Sequence, residues 1–157
     1  MVEDRATYRE NALKKARSAA KFTGKPALAD DTGLEVDTLG GQPGLYSARF
    51  AGEGCTFQDN VLKLLHLLEG VPSERRRARF VCVIVLVDPN GREQVVEGEL
   101  CGRITESQAG VGGFGYDPVF FAPEAGKTLA ELTADEKNRI SHRRRALDKA
   151  RAIILAN

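Results

Sequence analysis

The sequence predicts an α/β fold in which helices lie on both sides of a mixed, twisted sheet. Two observations support this prediction. Helical and extended segments alternate along the chain, and the apolar run Phe80–Val87 shows no polar alternation, which indicates a strand that is covered on both faces. The length of 157 residues suits a single domain over residues 1–157, because a chain of this size buries roughly two-thirds of its unfolded surface.

Four helices are predicted from capping residues and from apolar residues at helical spacing. They are a helix between the capping box Thr7–Glu10 and Gly24, one from about Phe57 to Leu68 with Thr56 as N-cap, one that opens at the capping box Thr133–Glu136, and a C-terminal helix marked by Ala146 to Ile154. The buried face of the second helix is expected to consist of Val61, Leu62, Leu65 and Leu68.

Strands are predicted from short apolar segments that are bounded by turn residues. The segments are Ala27–Ala29, Leu34–Val36, Arg79–Asp88, Glu93–Leu100 and Val119–Phe121. The first two are expected to be separate strands, because Asp30–Gly33 has the composition of a turn. The turn signal Pro89–Gly91 predicts that the third and fourth segments form an antiparallel hairpin.

The composition argues against several classes of protein. Basic residues number 23 and acidic residues 22, so the formal net charge of +1 gives no long-range positive field for binding nucleic acid. The longest apolar run is far too short to span a bilayer, and the polar start Met1–Arg5 does not fit a signal peptide. The three cysteines lack metal-ligand spacing, which suggests a reducing, cytoplasmic location.

The first candidate site is the segment Asp30-Asp31-Thr32-Gly33. Adjacent side chains in a regular strand point to opposite faces, so the two carboxylates cannot bind one metal ion without a kink. One carboxylate could coordinate a metal or act as a base while the other caps or orients. The alternative is an Asx turn with a purely structural role, which this segment also suits.

The second candidate site is the glycine-rich segment Gly110–Asp117. Its glycines let backbone N–H groups approach a ligand closely. Phe114 could stack on a flat ring, and Asp117 could accept a hydrogen bond from that ring. The alternative is a tight connection between two strands.

The third candidate site is the basic segment Lys137–Arg151, which contains seven basic residues and one acid. Such a concentration suits a polyanion such as a triphosphate, whereas the alternative is a solvated helix face. The run Arg75–Arg77 with Arg79 is interpreted as a solvated face or an interface. Carboxylates, an aromatic loop and a basic segment together indicate a nucleotide site with magnesium.

Several separated segments share the pattern of one known family. In chain order they are Glu10–Ala12, Ala29–Leu34, Leu39–Gly52, Gly112–Pro118, Glu136–Lys137 and Ile140–Arg143. On these segments the sequence resembles the inosine triphosphatase family, the noncanonical purine nucleoside triphosphate pyrophosphatases. The resemblance covers essentially the whole chain.

The resemblance implies a magnesium-dependent, homodimeric enzyme that hydrolyses ITP, dITP and XTP to the monophosphate and pyrophosphate. It implies that Asp31 is the catalytic carboxylate, which accepts a proton and binds magnesium. The residues that it implies in substrate binding are Thr32, Phe114, Gly115, Tyr116, Asp117, Lys137, His142 and Arg143.

The N-terminal segment departs from the family pattern. Family members normally begin with a strand and a T/S-x-N-x-x-K phosphate loop, and the sequence before Glu10 does not show them. We therefore expect a domain that is incomplete at its N-terminus. Glu3, or alternatively Asp4, is a candidate for an upstream metal-binding acid. The alternative hypothesis is a truncated nucleotide-binding dimer with little catalysis, a binding module rather than an enzyme.

Overall fold

The computed structural model describes residues 6–156, which form four helices and six strands. The helices are α1 (Tyr8–Thr23), α2 (Phe57–Leu67), α3 (Ala134–Ile140) and α4 (His142–Ala156). The strands are β1 (Ala27–Val36), β2 (Pro43–Gly44), β3 (Arg77–Val87), β4 (Glu93–Ile104), β5 (Phe120–Ala122) and β6 (Lys127–Thr128). They follow the order β2-β1-β3-β4-β5-β6 in one sheet, which confirms the predicted α/β fold. No helix among residues 6–156 is long and apolar enough to cross a membrane.

The described strand registers are antiparallel. Leu34 lies opposite Gly44 in the β1–β2 pair, and β5 pairs antiparallel with both β4 and β6. Between β3 and β4 the Asp88 N–H donates to the Arg92 carbonyl over 3.0 Å, which closes the hairpin that the sequence predicts. The short connections between β1 and β2 and between β5 and β6 favour antiparallel pairing, since parallel neighbours need a longer crossover.

The start of α1 differs in detail from the predicted capping box. Thr7 is the N-cap, and its Oγ1 accepts a hydrogen bond from the Glu10 N–H over 3.1 Å. The Glu10 carboxylate, however, accepts from the Ala6 N–H over 3.1 Å rather than from the N-cap residue. The helix ends at Gly24, as predicted, with the Gly24 N–H donating to the Ala20 carbonyl. The capping boxes at Thr56 and Thr133 both form.

The segment Asp30–Gly33 does not interrupt the strand that contains it. A single strand, β1, runs from Ala27 to Val36, so the predicted pair of strands and the Asx-turn alternative are both wrong. The Thr32 hydroxyl donates to the Val81 carbonyl of β3 over 2.6 Å. Strand pairing satisfies the backbone of these residues, and this tertiary gain exceeds the local preference of aspartate and glycine for turns.

The buried face of α2 is rotated from the predicted one. Val61 and Leu64 are buried together with Leu68, whereas Leu62 is 53% exposed. Leu65 is only partly buried. The spacing of positions 61, 64 and 68 follows one helix face, and a residue at position 62 lies about a quarter turn away from it.

The chain divides into two compact units. The first consists of residues 6–32, 81–99 and 142–156, within the described part of the chain. In this unit the odd-numbered residues of β3 pack on the alanine face of α1, and Cys82 and Ile84 pack on Ala146 and Ala150 of α4. Both faces of β3 are therefore covered, as its uninterrupted apolar pattern predicts.

The second unit consists of residues 33–80 and 100–141. Its core lies between α2 and the strands of this unit, and the rings of Phe80 and Phe120 lie 4.6 Å apart at its centre. The prediction of a single domain over residues 1–157 stays a prediction.

Arg76 belongs to the core of the second unit. It is only 4% exposed, so the interpretation of the Arg75–Arg77 run as a solvated face is wrong at this residue. Its guanidinium donates to the carbonyls of Leu68, Val71 and Thr105 over 2.8, 2.9 and 2.9 Å. The buried charge thus connects the end of α2 to the segment that follows β4.

Candidate active site

Two adjacent carboxylates lie in β1 and contact different helices of the first unit. Asp31 contacts α1, where the Asn11 Nδ2 donates to Asp31 Oδ2 over 2.9 Å. Asp30 contacts α4, where the Arg143 Nε lies 3.3 Å from Asp30 Oδ2. This arrangement follows from the alternation of side chains along a regular strand. The two carboxylates therefore contact different partners on opposite faces of β1.

Asp31 is buried, at 8% exposure, and is surrounded by donors. Besides Asn11, the Thr32 N–H donates to Asp31 Oδ1 over 3.1 Å, and the Lys15 Nζ lies 3.9 Å from the same oxygen. Hydrogen bonds from neutral donors, together with a nearby positive charge, stabilise an ionised carboxylate where water is scarce. Asp31 can accordingly serve as a fixed anionic base or as a metal ligand.

Asp30 forms a second cluster on the other face of β1. It is partly exposed and lies between Arg143 and the Cys82 thiol, whose Sγ is 3.9 Å from Asp30 Oδ2. Burial, and then the negative charge of Asp30, raise the pKa of Cys82 to about 12. Cys82 is therefore a protonated thiol at neutral pH and not a nucleophile.

Thr32 lies within β1, and His142 lies at the start of α4. The Thr32 hydroxyl donates to a neighbouring strand, as described above, and retains lone pairs that can accept a hydrogen bond. His142 is the first residue of α4 and is 8% exposed. The Ser141 N–H donates to the Lys137 carbonyl and ends α3 directly before it. The sequence-based roles of Thr32 and His142 in substrate binding stay predictions.

The rest of the basic segment follows the solvated-helix alternative in several places. Arg144 forms an exposed pair with Asp148 one turn away, at 2.8 Å. Arg145 and Lys149 donate to carbonyls of β4, namely those of Glu99 and Glu97. Arg145 and Lys149 therefore contact a strand. Lys137 and Arg143 lie beside the candidate site residues Asp117 and Asp30.

In the second unit the glycine-rich segment folds into a loop around Asp117. This residue is 3% exposed, and its Oδ2 accepts a hydrogen bond from the Phe114 N–H over 2.9 Å. The same oxygen forms an ion pair with the Lys137 ammonium group. Asp117 therefore organises the loop from inside, and this engagement competes with direct contact to a ligand.

Tyr116 anchors the same loop to a neighbouring one. It is 5% exposed, and its hydroxyl donates to the Ser47 carbonyl over 2.7 Å. Burial raises the pKa of the Tyr116 phenol, so the hydroxyl remains a donor at neutral pH. The Ser47 hydroxyl in turn accepts from the Leu34 N–H over 2.9 Å. Two hydrogen bonds to Ser47 thus connect the loop, through Tyr116, to Leu34 of β1.

Phe114 is the exposed aromatic surface of this loop, with 56% of its area accessible. The Lys137 Nζ lies 4.4 Å from its ring centroid. The ring of Phe57, at the start of α2, lies 6.2 Å away and is tilted by 42°. Phe57 is itself 56% exposed. An exposed aromatic pair beside an ammonium group suits stacking by a flat, electron-rich ring.

The sequence analysis does not identify Lys15 or Phe57 as candidate site residues, and it includes Asn11 only as part of the Glu10–Ala12 family segment. Asn11 and Lys15 lie four residues apart on α1, a spacing that brings side chains to one helix face. That spacing, together with an asparagine among alanines, is a usable signal. Phe57 follows the N-cap Thr56 and carries no comparable signal, because its partner Phe114 is distant in sequence.

Gly113 is required where the loop closes over Asp117. Its φ is +69°, and a Cβ placed on it would lie 2.0 Å from Asp117 Oδ2. We expect Gly113→Ala to lower the free energy of unfolding by at least about 1 kcal/mol more than a simple left-handed alanine would, because the buried carboxylate must move. Urea denaturation followed by circular dichroism measures this difference.

Gly115→Ala is the matched control for that substitution. Gly115 has a similar φ of +61°, but no atom lies within 4 Å of the point that its Cβ would occupy, so it isolates the backbone cost of roughly 1–2 kcal/mol. Equal destabilisation by the two substitutions would contradict the steric role assigned to Gly113.

The Asp31 carboxylate has the chemistry of one ligand of a magnesium ion. Among residues 6–156 no group of three histidine, cysteine, aspartate or glutamate side chains could hold a metal ion by itself. Magnesium, however, is commonly held by one or two carboxylates together with substrate phosphates and water. Asp31 supplies one such hard oxygen donor. The second candidate ligand, Glu3 or alternatively Asp4, lies outside the described residues.

Comparison with known proteins agrees with this interpretation of the fold. A model of the Ham1 family matches residues 1–153. The chain is 57% identical over 152 residues to a dITP/XTP pyrophosphatase of Desulforamulus reducens, an alignment that covers 97% of this chain and 76% of that protein.

Two solved structures are similar over nearly the whole chain. The Staphylococcus aureus Ham1 protein gives a TM-score of 0.94 at 43% identity, with 99% of this chain and 80% of that chain covered. The nucleoside-triphosphatase / dITP/XTP pyrophosphatase of Mycobacterium abscessus gives 0.82 at 46% identity, with 96% and 76% covered. Sequence and fold together show that this chain belongs to the Ham1 family.

Proposed function

We propose that this chain hydrolyses the noncanonical purine nucleoside triphosphates ITP, dITP and XTP to the monophosphate and pyrophosphate, with Mg²⁺ as cofactor. The observation that carries the proposal is the buried carboxylate of Asp31, held by Asn11 and beside Lys15. The relatives named dITP/XTP pyrophosphatase, at 57% identity, support the substrate class.

In the proposed reaction Asp31 accepts a proton from the attacking water. The water oxygen forms a bond to the α-phosphorus, the bond from that phosphorus to the oxygen bridging to the β-phosphate breaks, and pyrophosphate leaves. General-base catalysis by a positioned carboxylate contributes typically about 10²- to 10⁴-fold. When bound, magnesium would neutralise phosphate charge. Lys15 lies beside Asp31 and supplies a further positive charge for phosphate oxygens.

We propose that the glycine-rich loop recognises the base and that Thr32, His142 and Arg143 contact the substrate. Phe114 offers an exposed ring for stacking, and Lys137 lies over that ring. A 6-keto purine presents an O6 acceptor where adenine presents an amino donor. Arg143 or loop N–H groups would read that acceptor, and adenine would leave their hydrogen bonds unmade.

A pyrophosphate-release assay tests the proposed function. The full chain is incubated with ITP, dITP, XTP, GTP or ATP, each with Mg²⁺ and with EDTA. We expect release from the first three that depends on Mg²⁺ and slower release from GTP and ATP. Release from none of the five would refute the proposal and favour the non-enzymatic nucleotide-binding alternative.

Phe114→Ala is expected to raise KM for ITP. Stacking of a base on an aromatic ring is worth about 1–3 kcal/mol, which corresponds to roughly a 5- to 150-fold rise in KM. The effect on stability should be small, because the ring is half exposed. Steady-state kinetics with ITP measures KM, and Phe22→Ala, at a 92% exposed ring on α1, is the matched control. An unchanged KM would place Phe114 outside the base site.

We further propose a cytoplasmic homodimer that binds no nucleic acid. Three free cysteines and a net charge of +1 support the location and the absence of nucleic-acid binding. Sedimentation velocity measures the oligomeric state directly.

A further inference from the structure

Asn11 lies on the buried face of α1 among small apolar residues. It is 3% exposed, and the other buried residues of this helix are Ala12, Ala16 and Ala20. Asparagine is a poorer helix former than alanine, and a buried amide costs free energy unless it is hydrogen-bonded. The bond from Asn11 Nδ2 to Asp31 Oδ2, 2.9 Å long, offsets that cost.

Asn11 and the backbone hold the two oxygens of one carboxylate. Asn11 donates to Oδ2 from the helix, and the Thr32 N–H donates to Oδ1 from the strand, over 3.1 Å. A planar carboxylate that is bonded at both oxygens from two secondary-structure elements has little freedom to rotate. A residue in this position can control how the carboxylate is presented to a reactant without adding charge.

We propose that Asn11 is a positioning residue for catalysis. Its amide keeps the Asp31 carboxylate in the orientation in which it accepts a proton from the attacking water. This inference rests on the proposed function, in which Asp31 is the base. It assigns the role to a neutral side chain that does not touch the substrate, and it predicts an effect on turnover rather than on binding.

Asn11→Leu removes the donor with a side chain of similar volume. We expect kcat for ITP to fall about 10- to 100-fold, the range typical when the hydrogen-bond partner of a metal-ligating side chain is removed. KM and the affinity for a non-hydrolysable α,β-imido analogue of ITP should stay within about twofold of the wild-type values. The reason is that the variant leaves the contacts made equally to substrate and transition state unchanged. Steady-state kinetics and isothermal titration calorimetry measure these quantities.

Asn60→Leu is the matched control for that variant. Asn60 is also a buried asparagine on a helix, with 2% exposure. Its amide oxygen accepts from the Ala51 N–H over 2.8 Å, and its Nδ2 donates to the Ala48 carbonyl over 3.2 Å. We expect Asn60→Leu to lower the urea midpoint at least as much as Asn11→Leu does, while kcat of the folded protein stays unchanged.

An exchange of the two side chains tests the hydrogen bond without an activity assay. Asn11→Asp places two carboxylates together, and the double variant Asn11→Asp/Asp31→Asn restores an amide–carboxylate pair with reversed polarity. We expect the double variant to have a higher urea midpoint than Asn11→Asp alone. If the shift in urea midpoint of the double variant equalled the sum of the shifts of Asn11→Asp and Asp31→Asn, the hydrogen-bonded pairing would be overturned.

The outcomes separate this inference from the proposed function. An active wild-type chain in which Asn11→Leu keeps kcat, or loses it only in step with Asn60→Leu, overturns the positioning role and leaves the function standing. An inactive wild-type chain overturns both. Loss of kcat in Asn11→Leu alone, with the analogue still bound, supports the role.

Discussion

Asp31→Asn is expected to abolish Mg²⁺-dependent release of pyrophosphate from ITP, with kcat falling by about 10³-fold or more. The amide has the shape of the carboxylate, but it neither accepts a proton at neutral pH nor binds a hard cation well. Loss of the Asp31 carboxylate therefore removes the proposed base and the proposed metal donor together. A coupled pyrophosphate assay under saturating ITP measures kcat, and circular dichroism verifies that the fold persists.

Asp148→Asn is the matched control for the same chemical change. Asp148 forms an exposed ion pair with Arg144 on α4, and its side chain is 55% exposed. Exposed pairs of this kind contribute roughly 0–1 kcal/mol, so both stability and turnover should stay near those of the wild type. Turnover retained in Asp31→Asn would remove Asp31 from the catalytic role.

Much of the first unit could be predicted from the sequence. The apolar run of β3 indicated a strand covered on both faces, and α1 and α4 cover them. The break predicted within β1 was wrong, because aspartate and glycine favour turns locally while the strand is determined by its neighbours in the sheet. Local propensity gives no information about a partner such as Val81, which lies 49 residues after Thr32 in the chain.

The loop conformation of the glycine-rich segment could be predicted from the sequence, but the side-chain contacts inside the loop could not. The glycine-rich loop was placed correctly, and Phe114 is exposed as a stacking residue must be. The sequence suggests that Asp117 accepts a hydrogen bond from a ligand; in the structure Asp117 is buried and bonded to Phe114 and Lys137, and its role in binding stays a prediction. Both arrangements are compatible with the same motif, since a motif specifies residue types and spacing and leaves side-chain direction to tertiary packing.

A run of arginines posed a similar problem. Charge runs usually lie on solvated surfaces, and Arg75 and Arg77 do. Arg76 is buried because three carbonyls, from positions 68, 71 and 105, converge on its guanidinium. Two of these follow α2, where the negative end of the helix dipole favours a cation. The third comes from a segment 29 residues away, which no local pattern reveals.

Arg76→Met is accordingly expected to lower the free energy of unfolding by about 3 kcal/mol or more. Methionine keeps much of the volume and removes every donor, so three carbonyl groups lose a charged partner in a buried region. The loss should be visible as a lower midpoint in urea denaturation and as earlier thermal unfolding.

Two further variants separate the hydrogen bonds from the charge. Arg77→Met changes the exposed neighbour and should shift stability by no more than about 0.5 kcal/mol. Arg76→Lys keeps the charge, but an ammonium group cannot reproduce the planar fork of a guanidinium, so intermediate stability is expected. If the stability of Arg76→Lys matched that of the wild type, a positive charge at the end of α2 would be sufficient to stabilise this part of the core. Lysine as damaging as methionine would show that the fork geometry, which reaches three carbonyls at once, stabilises this part of the core.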